Sequence, residues 1–262
     1  MVEGWSRVQG VIGDAERDGV DIGVAVLAPD GRRFDHRGDD VFLSASTIKI
    51  AIMVALFQAI DRGELSLDDP YVLQSEDKVP GSGVLQHLHD GIELTLGDVV
   101  YLMMSISDNP ATNILIDRLG FDAVNSAMRD IGLERSVLGR KMMGRPAIDG
   151  ERENHATPND LAKLVSAILD GTVATASSTE AMISLLERQQ NARRIGRFVP
   201  KDTRWGSKTG SYDTVVNDAG FVMQARGPMV IAVLTANVQD VVAGELIVSD
   251  ISRAAMHDAQ EY

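Results

Sequence analysis

Strand-forming sequence in this chain is confined to its two ends, and that separation limits the fold more than any other feature. Near the N-terminus Ile22-Gly23-Val24-Ala25-Val26-Leu27-Ala28 is rich in β-branched residues and stops at Pro29-Asp30-Gly31, which reads as a strand entering a hairpin turn. Near the C-terminus, residues 218–225 and 229–235 flank Arg226-Gly227-Pro228 and read as a second hairpin. Each end also carries an amphipathic helix. One spans residues 5–17, with Trp5, Val8, Val11 and Ile12 three or four apart, and the other spans residues 241–257. Between them the periodic segments are helical, over residues 47–61, 95–104, 111–119, 123–131, 159–169 and 179–187. A sheet assembled from both ends must therefore hold an inserted helical middle. The expected class is α/β (α+β), with an antiparallel sheet flanked by helices from both chain ends. That gives a discontinuous lobe of residues 1–43 and 188–262 and an all-helical lobe of residues 44–187, in one domain overall. A cleft between two such lobes is the first place to look for a site.

Composition narrows the chemistry. The 262 residues contain no cysteine, which excludes a disulfide framework, a zinc–thiolate site and a cysteine nucleophile. A formal charge of −13 repels a phosphate backbone, and no basic run reverses that field, so no nucleic-acid partner is expected. The longest apolar stretch, residues 48–60, is broken by Lys49 and Gln58 and is too short for a membrane segment. The first residues lack a basic region leading into an apolar one, so the expectation is a cytoplasmic chain as given, or an exported one whose leader has been removed. His36, His87, His89, His155 and His257 have no triad or zinc context, and there is no phosphate-binding or dinucleotide glycine loop. No metal and no cofactor are expected. Nothing in the composition calls for a second copy, and the expected state is a monomer.

Three short motifs remain. Ser46-Thr47-Ile48-Lys49 opens the most apolar helix in the chain. A three-residue spacing puts the Lys49 amine on the same face as the Ser46 hydroxyl, and burial among Ile48, Ile50 and Ile52 disfavours the charged amine. Ser46 is thus a candidate nucleophile with Lys49 as its base; the other reading is an N-cap followed by a snorkelling lysine. Ser75-Glu76-Asp77-Lys78 has the same spacing, but its charged flanks and the following Val79-Pro80-Gly81-Ser82-Gly83 place it on an exposed loop. Ser107-Asp108-Asn109 sits at a helix–helix junction, where it either points polar groups into a cleft or simply caps a turn. Lys208-Thr209-Gly210 falls on a strand, where the lysine either holds an anion or protects an edge.

In this order, Ser-x-x-Lys, Ser-Asp-Asn and Lys-Thr-Gly form the signature set of class A β-lactamases and penicillin-binding proteins, and the chain resembles the class A side of that family. Thr157-Pro158 and Asn217-Asp218 extend the similarity, which runs from residue 22 to about residue 235. The resemblance implies a β-lactamase/transpeptidase-like fold and a serine hydrolase that acts on a small-molecule β-lactam or a related acyl substrate. It implies Ser46 as nucleophile, Lys49 as its activator, Ser107 as proton carrier to the leaving nitrogen, and Lys208 as the cation beside Ser107. It also implies an oxyanion hole from the backbone N–H groups of Ser46 and Ser211. Asn109 would meet the substrate amide, while Thr209, Gly210 and Ser211 meet its carboxylate side. Relatives place an arginine near that carboxylate, and Arg194 is the candidate here; its other reading is a solvated charge beside Arg193 and Arg197.

One departure stands out. Met142 occupies the place of the loop glutamate that activates the deacylating water in class A enzymes, and a thioether cannot take a proton from water. Glu153 is either a substitute base or a structural partner for an arginine such as Arg140. The implied activity is β-lactam hydrolysis through an acyl-serine with weak deacylation. The alternatives are a related D,D-peptidase or esterase, or a protein that is acylated and does not turn over.

Overall fold

The computed structural model describes residues 4–145 and 147–260. The first three residues of the stretch searched for a leader, residue 146 and the last two residues of the expected sheet lobe lie outside them. In chain order the elements are α1 (Ser6–Arg17), β1 (Asp21–Leu27), β2 (Arg33–His36), β3 (Phe42–Leu43), α2 (Lys49–Asp61), β4 (Pro70–Val72), β5 (Glu93–Thr95), α3 (Leu96–Ser105) and α4 (Asn109–Leu119). They continue with α5 (Phe121–Asp130), β6 (His155–Ala156), α6 (Pro158–Leu169), α7 (Ala176–Glu187), β7 (Trp205–Tyr212), β8 (Val215–Gln224), β9 (Gly227–Ala236) and α8 (Val241–Gln260). No described helix is long and apolar enough to cross a membrane.

The sheet is fully antiparallel, in the order β2-β1-β9-β8-β7. Its N-terminal strand β1 pairs with β9 from Asp21 opposite Ala236 to Leu27 opposite Val230, so the two chain ends close one sheet. Strand alternation assigns each face its own core. Ile22, Val24 and Val26 of β1 and Ile231 and Val233 of β9 pack against Trp5, just before α1, Val8 and Ile12 of α1, and Val248 and Ile251 of α8. The opposite face presents Ala25, Ala219, Ala232 and Leu234 to a larger core around α2. Small residues are needed there: a Cβ on Gly23 would lie 2.7 Å from Pro158, at the start of α6, and 2.6 Å from the Phe42 ring.

Ten of the thirteen residues of α2 are buried, so it runs through the middle of the helical layer instead of along its surface. Its start differs from the sequence expectation. The segment begins as a single 3₁₀ turn, Ala45–Ile48, and becomes α-helical only at Lys49. Ala45 is left-handed (φ 45°), and the Thr47 hydroxyl donates to the Ser44 carbonyl at 2.7 Å. Local side-chain bonding tightens this turn, which apolar periodicity does not register. The pairing of β4 with β5 was also invisible, since three-residue strands carry too little pattern.

Candidate active site

Ser46 lies in the 3₁₀ turn, half-buried, where two sheet residues hold it. Asn217 on β8 donates from Nδ2 to the carbonyls of Leu43 (2.8 Å) and Ser44 (3.3 Å), and its Oδ1 accepts from Thr235 N on β9 at 2.9 Å. Gly210 on β7 comes equally close. A Cβ there would fall 3.0 Å from both Ser44 O and Ser46 N, so glycine is what lets β7 lie against the serine turn. Two cavities, of ≈ 310 and ≈ 380 Å³, meet at this point, and Ser46, Ser82 and Ser211 line both.

Lys49 is completely buried. Its Nζ lies 2.7 Å from the Ser107 carbonyl, 3.1 Å from Ser107 Oγ and 3.1 Å from Asn109 Oδ1. A neutral amine carries two N–H groups and one lone pair, which matches two carbonyl acceptors and leaves the lone pair for a hydroxyl. The electrostatics point the same way. Burial is the main cause that holds the Lys49 amine well below the usual lysine range, and the nearby Lys208 pushes it further down against a smaller pull from Asp108. Ser107 is held in the left-handed region (φ 61°), where the chain turns between α3 and α4.

Asp108 takes the capping part that its motif allowed and anchors this junction. Its Oδ1 caps α4 by accepting from Ala111 N (2.9 Å), and its Oδ2 accepts from Val84 N (2.6 Å) and Leu85 N (3.0 Å). Asn109 donates from Nδ2 to Pro80 O at 3.1 Å, which uses one of its two amide protons. The Pro80 to Gly83 loop is thereby fixed over the cleft, and a Cβ on Gly81 would collide with Asn109 Nδ2 at 2.3 Å. By contrast, Ser75 is exposed in its own short turn and Lys78 pairs with Asp90, as the loop reading of that second motif requires.

Lys208 on β7 is likewise buried, with Nζ donating to Thr209 O at 2.9 Å. Burial brings it down to about 7, with Asp218 pulling it up and Arg194 pushing it down. Asp218 has no exposure either, and burial raises its carboxyl against the pull of Arg194. Thr209, Ser107 and Ser211 line the more polar cavity together with Gln190 and Arg193.

Arg194 departs from one of its two sequence readings. It is 1 % exposed, so it is not a solvated charge beside Arg193; both terminal nitrogens of its guanidinium are engaged by protein groups, while Nε has no hydrogen-bond partner. Nη1 donates to Gly210 O (2.7 Å) and Asn217 O (2.6 Å), while Nη2 donates to Ser211 Oγ and lies 3.5 Å from Glu245 Oε1 on α8. A position fourteen residues before a lysine says nothing about which side of the strand an arginine approaches.

The loop of residues 138–158 forms the other wall. Met142 lines the ≈ 310 Å³ cavity with Ser46, Asn109 and Met143. Its backbone is clamped by Asn113 on α4, which accepts from Met142 N (2.8 Å) and donates to Met142 O (2.9 Å). Asn113 follows Asn109 by one helical turn, so its proximity to the site was readable from spacing but was missed. Glu153 also lines the cavity, yet both its oxygens are engaged by Arg140, at 3.2 and 3.0 Å, and Oε1 also accepts from Ala147 N at 2.7 Å. It has the partner that the structural reading gave it.

Comparison with known proteins agrees with this geometry. The model of a family described as "Beta-lactamase enzyme family" matches residues 5–259. A β-lactamase of Sphaerobacter thermophilus is similar in structure at a TM-score of 0.96, with 52 % sequence identity over 98 % of both chains. PBP-A is similar at a TM-score of 0.88 and 29 % identity, over 96 % of this chain and 95 % of that one, and a mutant of PBP-A is known as an acyl-enzyme complex with penicillin G. The β-lactamase BRO-1 of Moraxella catarrhalis is 27 % identical over 72 % of this chain, which spans 62 % of the length of that relative.

Proposed function

This chain belongs to the beta-lactamase enzyme family and is a serine hydrolase of that type, and from that premise we propose that it opens β-lactams quickly through an acyl-Ser46 and releases the product slowly. In acylation, the neutral Lys49 amine takes the Ser46 proton as Oγ bonds to the lactam carbonyl carbon. The oxyanion that forms is received by the backbone N–H groups of Ser46 and Ser211, whose individual worth in such sites is about 3 kcal/mol. As the intermediate collapses, the C–N bond breaks, and the proton passes from Lys49 through Ser107 Oγ to the leaving nitrogen. Lys208 supports that transfer by its positive charge and helps, with Thr209 and Ser211, to hold the substrate carboxylate. Asn109 offers its second amide proton to the acyl side chain.

Deacylation requires water to attack the ester carbonyl and lose a proton while the Ser46 Oγ–C bond breaks. On the loop wall the Met142 thioether cannot accept that proton, and Glu153 is paired with Arg140. The observation that carries the proposal is the buried Lys49 amine, poised between Ser107 and Asn109 with its charged form disfavoured. Intact mass after a short incubation with penicillin G tests it. One covalent equivalent is expected on the wild type and none on Ser46→Ala; an unmodified wild type, or an adduct that survives the substitution, removes it. Met142 also motivates a second reading, a D-alanyl peptide or simple ester as the substrate. Comparing kcat/KM for nitrocefin, a D-Ala-D-Ala peptide and p-nitrophenyl acetate separates the two, because the second reading requires nitrocefin to lose.

A further inference from the structure

We infer that Arg194 is a positioning residue for the oxyanion hole: by gripping the Gly210 carbonyl from the α8 side of the sheet, it sets the direction of the Ser211 N–H. The inference rests on the functional reading above, in which that N–H receives the oxyanion. A peptide group is planar and trans, so the carbonyl of Gly210 and the N–H of Ser211 point in opposite directions within one rigid unit. Whatever fixes the oxygen fixes the hydrogen. Arg194 Nη1 holds that oxygen at 2.7 Å and ties it to the Asn217 carbonyl on the neighbouring strand at 2.6 Å, where Gly210 and Asn217 stand directly opposite each other. The N–H is thereby turned away from Arg194. Ser211, which carries it, lines both cavities beside Ser46.

A cation on the carbonyl oxygen also polarises the amide and strengthens its N–H as a donor, an effect that grows where water is excluded. Water is excluded here, since Arg194 is 1 % exposed and Asn217 has no exposure. The guanidinium is itself held. Asp218 Oδ2 accepts from Ile195 N at 3.1 Å, which fixes the backbone beside Arg194, and Glu245 Oε1 lies 3.5 Å from Nη2.

The test separates an effect on the carbonyl from an effect on the carboxylate. Acylation rates are measured on wild type, Arg194→Lys and Arg194→Gln with penicillin G, which carries a carboxylate, and p-nitrophenyl acetate, which has none. Infrared difference spectra of the penicillin acyl-enzymes report the ester carbonyl stretch. The expected result is a loss of about 10- to 100-fold with both substrates, by a similar factor, and a carbonyl stretch shifted to higher wavenumber as its hydrogen bonds weaken. A loss confined to penicillin G with an unshifted carbonyl would overturn the inference in favour of direct carboxylate binding. Unchanged rates with both substrates would overturn it outright. Should Arg194→Gln fail to fold, Arg194→Lys decides alone, because it keeps a cation opposite Glu245 and Asp218 while losing the planar fork. A wild type that forms no Ser46 ester with either compound removes the functional reading first, and the inference with it.

Discussion

The serine wall and the loop wall of the cleft are held by different kinds of contact. On the serine wall, side chains from α2, the α3–α4 junction and β8 bond to buried and part-buried backbone groups: Lys49 to Ser107 O, Asp108 to three N–H groups, Asn217 to Leu43 O and Ser44 O. On the loop wall, ion pairs nearer the surface, Arg140 with Glu153, Arg145 with Glu151 and Lys141 with Asp117, join backbone clamps by Asn113, Asn125 and Asn154. The more exposed of these pairs, Arg145 with Glu151 and Lys141 with Asp117, contribute at most about 1 kcal/mol each, whereas a polar group orphaned by losing a buried partner costs more. The difference teaches that the two half-reactions are built separately. Acylation depends on a wall held by partners in the interior, and deacylation on a wall whose side chains, set on a clamped backbone, can change with less disturbance to the fold.

Four substitutions probe that contrast. Gly210→Ala strikes the serine wall hardest, because its methyl would press on Ser44 O and Ser46 N at 3.0 Å. Acylation by nitrocefin, followed by stopped flow, should fall by about 100-fold, comparable to losing an oxyanion donor. Met142→Glu acts on the other wall, where Asn113 holds the backbone at that position irrespective of its side chain. Steady-state turnover should rise by about 10-fold or more while the acylation rate stays within about a factor of two. An unchanged turnover would mean that the loop wall does not limit release.

Lys208→Arg tests the charge beside the site. With Lys208 brought down to about 7, its positive form fades as pH rises through neutrality, so acylation by the wild type should decline on the alkaline side. Arginine stays charged, so the pH profile of the variant should keep a plateau to about pH 9. The acid side should be shared by both proteins, because it follows the lowered Lys49 amine, which must be neutral to accept a proton. Glu153→Gln should have the smallest effect. It removes one charged partner of Arg140 and lowers the melting temperature by about 2 °C, with acylation unchanged. A large loss of turnover in that variant would give Glu153 the catalytic part that its contacts with Arg140 argue against.

The fold was legible because it rests on pattern. β-Branched alternation at both ends and helical periodicity between them require a sheet closed by the two termini, as β1 and β9 form it. The motifs were legible through resemblance, since each alone left two readings and the family's order of the three is what points to Ser46, Lys49, Ser107 and Lys208. What stayed hidden depends on tertiary direction. The 3₁₀ turn at Ser46 rests on a left-handed Ala45 and a Thr47 bond that no propensity scale records. The inward course of Arg194 depends on Asp218 and Glu245, twenty-four and fifty-one residues further along the chain. The occupation of Glu153 by Arg140 could be named as an alternative, but only the path of the loop decides between that pairing and a free carboxylate.

The most direct test of an enzyme complete for acylation and deficient in release is a single burst experiment. Wild-type protein is mixed with excess nitrocefin, and product is followed from the first milliseconds. The account predicts a rapid burst of one equivalent per protein, then a much slower linear phase that Met142→Glu accelerates. A linear trace without a burst, turning over at the rate of acylation, would contradict it.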